Sequence, residues 1–361
     1  VKGGSLLDPA GKRGTAAINA SMMNDGTALH TAVELEQALR KLGASASASS
    51  GTNYTQINVT SLKKNLPAVM EIVNEMLTQP KFDADAFDRA VRSQKSSIAR
   101  AKSSITSIGS RTASKLWFGD SFLADYATEE SISSITMDDI KAYFKTITPK
   151  NASIQVAGDI DAATVAQALA PLASWQGEDV AVPEITVGTS KDAGMYFVDF
   201  PGSKQSYIYI IGKGLTFSDP NYYKLSVLNK KLGAGSSGKL FEVLRLQRGY
   251  TYGASSSFTS TKEYGFFSAA SSVQGSATKE SVDLFKVIFK TFGPEFTQEK
   301  LDDVKASMLR ANASAFETSQ SLVGMLRAIE LNNLPEDFVI RQEQVVKDVT
   351  LDEIKSLAEK Y

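Results

Sequence analysis

Residues 135–141 read ITMDDIK, and residues 349–355 read VTLDEIK. The two stretches lie 214 positions apart. The same offset of 214 relates PKFDADAFDRA at 80–90 to PEFTQEKLDDV at 294–304. Two matches at one offset indicate that the second half of the chain repeats the first. A repeat of this kind determines the domain organisation, so it is considered before any single motif.

Two weaker matches follow in the same order. Asp8-Pro9 and Asp219-Pro220 lie 211 positions apart. The stretch LEQALRKLGASASAS at 35–49 loosely matches LFEVLRLQRGYTYGAS at 240–255. Four pairs in the same order at a nearly constant offset are not expected by chance, so we interpret the chain as an internal duplication.

Each copy carries the same elements in the same order. A helix follows the Asp-Pro pair, at 9–24 and 219–232, and a second helix follows a polar break, at 29–42 and 237–247. An alternating hairpin then precedes longer helices with apolar residues at 3–4 spacing. We therefore predict the α+β class, with two homologous domains at 1–180 and 190–361, each a mostly antiparallel sheet with helices packed on one face. Gly and Pro at 175–190 are typical of a linker.

Two further strands are predicted without a counterpart in the other copy. MYFVDF at 195–200 precedes the second Asp-Pro pair, and only the tail of an equivalent precedes the first. NASIQVAGDI at 151–160 follows the last helix of the first copy, and the second copy stops before an equivalent. We therefore expect the chain to be clipped at both termini.

The composition excludes several kinds of chemistry. The 361 residues include no cysteine and one histidine, His30, with a formal net charge of -1. Disulfides, thiol nucleophiles, cysteine-based zinc sites and any metal site with two imidazoles are therefore excluded. The charge gives no reason to expect a nucleic-acid partner. Without a long apolar run we expect no membrane span, which favours a bacterial periplasm or cytoplasm over a membrane location.

Residues 232–256, LGAGSSGKLFEVLRLQRGYTYGASS, resemble the second-domain signature of the pitrilysin/insulinase family of zinc peptidases, which includes the mitochondrial processing peptidase. In that family a glycine-rich turn leads to a helix, an Arg and, seven positions later, a Tyr. The matching residues are Arg245 and Tyr252. The first copy resembles the family's first domain in GKRGTAAINASMMNDGT, LRKLGASASASSGTNYTQINVTSL and PKFDADAFDRA. The resemblance covers essentially the whole chain.

The first copy departs from the family at its metal site. The family motif H-x-x-E-H supplies two zinc ligands and a general base. The matching positions hold Ala17 and Ser21 in place of the histidines and Ala20 in place of the base. The third ligand position, a Glu in the family, matches Ser97. Alanine and serine offer neither imidazole nor carboxylate, so we expect no metal or cofactor in this chain and place the zinc in a catalytic partner.

The resemblance implies a function for the second copy. Tyr252 would donate a hydrogen bond to the oxyanion at a partner's zinc site, and Arg245 would bind a substrate carbonyl or hold that tyrosine. The glycine-rich turn, with Gly233, Gly235, Ser236 and Gly238, would lie near the substrate path. The chain would then be the non-catalytic subunit, or half, of a zinc metalloendopeptidase that degrades unfolded peptides in a heterodimeric chamber.

Other interpretations remain open. A structural scaffold of the same fold, like the core proteins of the respiratory bc1 complex, would have no peptidase role. A self-sufficient hydrolase would depend on His30 or carboxylates, and we rank it last. By residue type alone, an Arg near a helix end, a Tyr in a strand and a glycine-rich turn are all ordinary structural features. A solvated or helix-capping role is the simplest expectation for His30.

Overall fold

The computed structural model describes residues 1–188, 190–314 and 316–361. The strands are β1 Ser45–Ser50, β2 Thr55–Thr60, β3 Gln205–Lys213, β4 Thr251–Ser260 and β5 Gly265–Gln274. The helices are α1 Thr15–Met23, α2 Ala32–Lys41, α3 Leu66–Thr78, α4 Ala84–Lys102, α5 Ile105–Phe118, α6 Glu129–Ser134, α7 Met137–Phe144, α8 Ala162–Ala168, α9 Tyr222–Leu232, α10 Lys239–Phe241, α11 Thr278–Phe292, α12 Gln298–Ser314, α13 Ser319–Asn332, α14 Phe338–Asp348 and α15 Leu351–Lys360.

The chain divides into two compact units. Unit 1 contains residues 1–101 and 125–184, and unit 2 contains residues 102–124 and 185–361. Helix α5 belongs to unit 2 because it packs on β3: a Cβ added to Gly109 would lie 2.6 Å from the Tyr207 ring. The homology-based division at 1–180 and 190–361 stays a prediction, since contacts and ancestry are different criteria.

Both sheets are antiparallel. In unit 1, β1 pairs with β2 in an unbroken register from Ser45↔Thr60 to Ser50↔Thr55. In unit 2 the order is β3-β5-β4, so that β5 is the central strand. The unit 2 core contains Phe285, Phe296 and other fully buried apolar side chains from the sheet and its helices. The predicted α+β class with antiparallel sheets is therefore confirmed.

An asparagine joins the first long helix of each unit to the first strand of its hairpin. In unit 1, Asn24 donates to the Ala48 carbonyl at 2.8 Å and accepts from the Ala48 amide at 2.7 Å. In unit 2, Asn229 donates to the Ser256 carbonyl at 2.8 Å and accepts from the Ser256 hydroxyl at 2.6 Å. In each unit an asparagine amide thus ties a helix to the neighbouring strand, although Asn24 is the C-cap of α1 and Asn229 lies within α9.

A similar ion pair in each unit joins a lysine shortly after the Asp-Pro pair to the motif that revealed the repeat. The Nζ atom of Lys12 lies 2.6 Å from Asp139, and that of Lys224 lies 2.6 Å from Glu353. Asp139 and Glu353 are also the third residues of capping boxes that begin α7 and α15. ITMDDIK and VTLDEIK therefore resemble each other because each supplies a helix cap and a partner for a lysine.

The helix after the first Asp-Pro pair begins later than the predicted residue 9. Helix α1 starts at Thr15, after Gly14, whose φ of 109° is unsuited to a helix. The carboxylate of Asp8 accepts from the amides of Gly14 at 2.9 Å and Ala16 at 2.7 Å. Asp8 therefore caps the helix from a distance, and its burial raises its pKa despite those two bonds.

The two predicted strands at 151–160 and 195–200 are wrong. Neither segment has a ladder partner among the described residues, and an extended segment without one is not a strand. The apolar side chains of the second segment remain exposed, Phe197 at 85%. The sequence analysis did not predict helices α8 and α14. Within the described ranges no helix is long and apolar enough to cross a membrane.

Candidate functional site

The glycine-rich turn of unit 2 joins α9 to α10 and is partly built into the core. A Cβ on Gly233 would lie 2.2 Å from the Ser256 hydroxyl, and one on Gly238 would lie 2.8 Å from the Gly233 Cα. These two glycines are buried, and they allow the turn to touch β4. Gly235, with a φ of 90°, and Ser236 are exposed at the tip of the turn. Only this tip is open to a ligand.

Arg245 lies in a π-helical segment, Glu242–Gln247, that continues α10. The sequence predicts an ordinary helix over 237–247, whereas the structure widens its last turns. Such segments cost regular hydrogen bonding and are frequent at functional sites. Arg245 is half-buried, and its Nη1 donates to the Thr251 carbonyl at 3.1 Å. The side chain is therefore fixed against the start of β4.

Tyr252 projects from the second position of β4. Its side chain is 84% exposed, and its hydroxyl has no hydrogen-bond partner within the part of the chain that the structure describes. The Arg245 guanidinium lies 4.8 Å from the centre of the Tyr252 ring. This distance is within the range of a cation–π contact. The structure thus brings the two predicted residues together, with the arginine supporting the ring and the hydroxyl free.

A register shift sets the direction of Tyr252. Thr251 pairs with Val273 and Ala254 pairs with Ser271, so β4 advances three residues while β5 advances two. Tyr252 and Gly253 therefore both face Ser272, which is the definition of a β-bulge. The β1–β2 ladder of unit 1 contains no such shift. The bulge thus belongs to the copy with the Arg and Tyr and is not needed for the hairpin.

A second tyrosine lies beside this pair but has its hydroxyl occupied. Tyr250 donates to the Glu280 carboxylate at 2.6 Å, and Nη1 of Arg248 lies 3.6 Å from the same carboxyl group. The hydrogen bond to Glu280 raises the pKa of Tyr250. The two tyrosines are two positions apart, but the hydroxyl of Tyr250 is already bonded to Glu280, whereas that of Tyr252 is available to donate to a ligand.

The residues at the family's metal positions lie in unit 1. Ala17, Ala20 and Ser21 are on α1, and of these only Ser21 is exposed. Ser97 is exposed on α4 and accepts from Arg100 at 2.8 Å. Among the described residues no group of three His, Cys, Asp or Glu side chains could hold a metal ion. These side chains do not fit a zinc ion, since methyl groups and hydroxyls are not its ligands.

His30 has a local structural partner. Its Nδ1 lies 2.8 Å from the Glu75 carboxylate, and Thr27 also donates to that carboxylate at 3.2 Å. The cap of α2 is the neighbouring Thr31, through a capping box. His30 therefore joins α3 to the segment before α2.

Two family models match separate parts of the chain. Residues 1–114 match the model described as "Insulinase (Peptidase family M16)", and residues 134–308 match the "Peptidase M16 inactive domain". The chain belongs to the M16 peptidase family. The resemblance seen in residues 232–256 is thereby confirmed, and those residues fall within the match to the inactive domain.

Other M16 proteins resemble this chain over nearly its whole length. A "Non-peptidase homolog YmxG" of Helicobacter pylori is 25% identical over 98% of this chain and 83% of its own. The crystal structure of a peptidase M16 inactive domain from Pseudomonas fluorescens shares the fold, with a TM-score of 0.87, 23% identity and coverage of 99% and 87% of the two chains. The periplasmic protease PqqL of Escherichia coli aligns at a TM-score of 0.80 and 16% identity over 99% of this chain and 40% of its own.

Sequence reasoning missed the polar side chains around Arg245 and Tyr252, namely Thr251 and Ser271 next to the pair and Glu280 beside Tyr250. Thr251, Ser271 and Glu280 are ordinary residues in strands and a helix, and no spacing rule points to them. The one available signal is Gly253, because glycine inside a strand pattern suggests a bulge or a close backbone approach.

Proposed function

We propose that this chain is the non-catalytic subunit, or half, of an M16 zinc endopeptidase and supplies Arg245 and Tyr252 to the site of a zinc-bearing partner. The observation that carries the proposal is Tyr252 itself: the residue is 84% exposed, Arg245 lies 4.8 Å from the centre of its ring, and its hydroxyl has no hydrogen-bond partner among the described residues. A large aromatic ring is exposed here although the sheet offers a buried face. The alignment with PqqL over 40% of that chain adds support, because a much longer family member contains a region of this kind.

The chemistry follows from a fixed donor. When water attacks a peptide carbonyl, negative charge develops on its oxygen, and the Tyr252 hydroxyl would donate to that oxygen. A donor held in place before the reaction lowers the barrier without reorganising, which contributes roughly 10²–10³ in rate. The partner would contribute the metal and the base. Arg245 already donates to the Thr251 carbonyl, so its role in this chain is to hold the tyrosine.

The substrate would be an extended, unfolded peptide. The exposed tip of the glycine-rich turn, Gly235 and Ser236, remains our candidate for contact with that peptide. Gly233 and Gly238 contribute by letting the turn approach β4, since both are buried. A substitution at the tip should change peptide preference, whereas one at the buried glycines should reduce stability.

The test is reconstitution with the zinc-bearing M16 member from the same genome. A quenched fluorescent peptide should be cleaved by the mixture and by neither chain alone. Tyr252→Phe should lower turnover roughly 10²-fold. Tyr250→Phe is the matched control, since its hydroxyl is occupied by Glu280, and it should leave turnover within about twofold. Equal turnover in the Tyr252→Phe and unmodified mixtures would remove Tyr252 from the mechanism.

A structural scaffold is the second candidate. The relative from Helicobacter pylori carries the name "Non-peptidase homolog", which favours this alternative. The same mixture distinguishes the two, because a scaffold would bind a partner without adding cleavage. A stable complex with no peptide hydrolysis above that of the partner alone would favour the scaffold.

A further inference from the structure

We infer that the hydroxyls of Thr251 and Ser271 are positioning groups that hold Tyr252 outward by stabilising the β-bulge at Tyr252–Gly253. The inference deepens the proposed function and rests on it for its significance. The bulge itself can be measured on this chain alone.

The bulge decides whether Tyr252 faces the core or the exterior. Beyond it, Ala254 and Ser256 are buried, at 5% and 7% exposure. Side chains alternate along a regular strand, so residues 252, 254 and 256 would share the buried face without a bulge. The extra residue resets the alternation, and Tyr252 and Gly253 are consecutive exposed positions. The exposure of Tyr252 therefore depends on the bulge.

A bulge frees backbone groups that need other partners, and two buried hydroxyls supply them. The Gly253 amide donates to the Thr251 Oγ1 at 3.0 Å, and that hydroxyl lies within donating distance of two carbonyls, Ser272 at 2.7 Å and Gly253 at 2.8 Å. The Ser271 hydroxyl donates to the Gly253 carbonyl at 2.9 Å. Thr251 and Ser271 are only 4% and 3% exposed, so water does not easily replace them.

The same threonine ties the bulge to the arginine. The Thr251 carbonyl accepts from Arg245 Nη1 at 3.1 Å, while the Thr251 side chain fixes the next two residues. The ring of Tyr252 is thus held between a fixed backbone and a fixed guanidinium. The regular β1–β2 ladder of unit 1 shows that the hairpin forms without this device.

The test replaces the hydroxyl without changing the shape of the side chain. In Thr251→Val the Gly253 amide loses its acceptor, and its hydrogen–deuterium exchange should accelerate about fivefold, in line with a net hydrogen bond of about 1 kcal/mol. Nitration of Tyr252 by tetranitromethane, measured against Tyr250 in the same digest, should fall as the ring turns toward the buried face. Thr251→Ser should restore both readouts.

Thr259→Val makes the same substitution on β4 away from the bulge and should move neither readout. Unchanged exchange at Gly253 together with an unchanged nitration ratio in Thr251→Val would overturn the inference. Acceleration to the same extent in Thr259→Val would also overturn it, since general loosening of the strand would then be the cause. These measurements use this chain without a partner. A negative result is therefore distinct from failure of the proposed function, which would appear as unchanged turnover of the Tyr252→Phe variant in the reconstituted mixture.

Discussion

Replacing Arg245 by methionine tests whether this arginine holds Tyr252 in the free chain. Methionine keeps much of the apolar stem and removes the charged donor. The lost bond to the Thr251 carbonyl, 3.1 Å long, is charge-assisted and contributes about 1.5–3 kcal/mol. The contact with the ring of Tyr252 contributes about 0.5–1 kcal/mol, because an 84% exposed ring leaves the cation partly hydrated. We expect unit 2 to lose about 2 kcal/mol of unfolding free energy.

A double-mutant cycle isolates the contact between the two side chains. Arg245→Met, Tyr252→Leu and the double variant should give a coupling energy of about 0.5–1 kcal/mol. The chain has two tryptophans, Trp117 in unit 2 and Trp175 in unit 1. Urea unfolding followed by fluorescence in a Trp175→Phe background therefore reports unit 2 alone.

Arg248→Met is the matched control for this cycle. Arg248 is exposed and three positions away, and its partner is Glu280 instead of the ring. We expect it to cost less than about 0.5 kcal/mol, as an exposed ion pair does. If Arg245→Met lowers the unfolding free energy no more than Arg248→Met, and the coupling energy with Tyr252 is zero within error, then Arg245 does not hold Tyr252.

The remaining predictions concern the stability of the two units. The hydrogen bond from Lys224 lowers the pKa of Glu353 below its ordinary 4.5. The stability that this bond provides is therefore present above pH 4.5 and is lost as the pH falls through the folded-state pKa. The unfolding free energy of unit 2, measured by urea titration at pH 7 and at pH 3, should differ less between the two pH values in Glu353→Gln than in the unmodified chain. Burial raises the pKa of Tyr143 from 10.0 to about 12. The unfolding free energy of unit 1 should therefore fall by up to about 2–3 kcal/mol as the pH rises between those two values. Tyr143→Phe should abolish this loss in alkaline urea titrations. Asn229→Ala should cost unit 2 about 1–3 kcal/mol and Asn24→Ala should cost unit 1 a similar amount, with each loss confined to the fluorescence transition of its own unit. A loss in the opposite unit would contradict the matched roles of the two asparagines.

The sequence predicts much of the architecture because the duplication doubles every local signal. The hairpins, most of the long helices and the place of Arg245 beside Tyr252 follow from patterns that occur twice or from a motif with fixed spacing. Local rules fail where a distant residue decides the outcome. Helix α1 begins at Thr15 because Asp8 caps it across a loop, and no window of residues around position 9 contains that information.

The strands at 151–160 and 195–200 fail for a related reason. Alternating apolar residues indicate which face a strand would bury, but a strand also needs a neighbour for its backbone groups. The bulge at Tyr252 was missed because it depends on hydroxyls from two strands, Thr251 and Ser271, which no single segment reveals. Strand pairing and side-chain packing depend on residues that are distant in the sequence, so local sequence patterns predict them only in part.

Comparison of the two units separates what the fold needs from what the site needs. Both units form the asparagine bridge, the capping box and the lysine ion pair, so these features belong to the common fold. Only unit 2 has a register shift in its hairpin, and its hairpin follows a π-helical segment. Each of these features interrupts regular hydrogen bonding, and the exposed ring of Tyr252 forgoes apolar burial. Since unit 1 shows that a regular hairpin of this kind folds, stability alone does not account for them. A chain in which alanine and serine match the family's metal positions therefore keeps a costly arrangement around the Tyr252 hydroxyl, which is expected if that hydroxyl acts on a ligand.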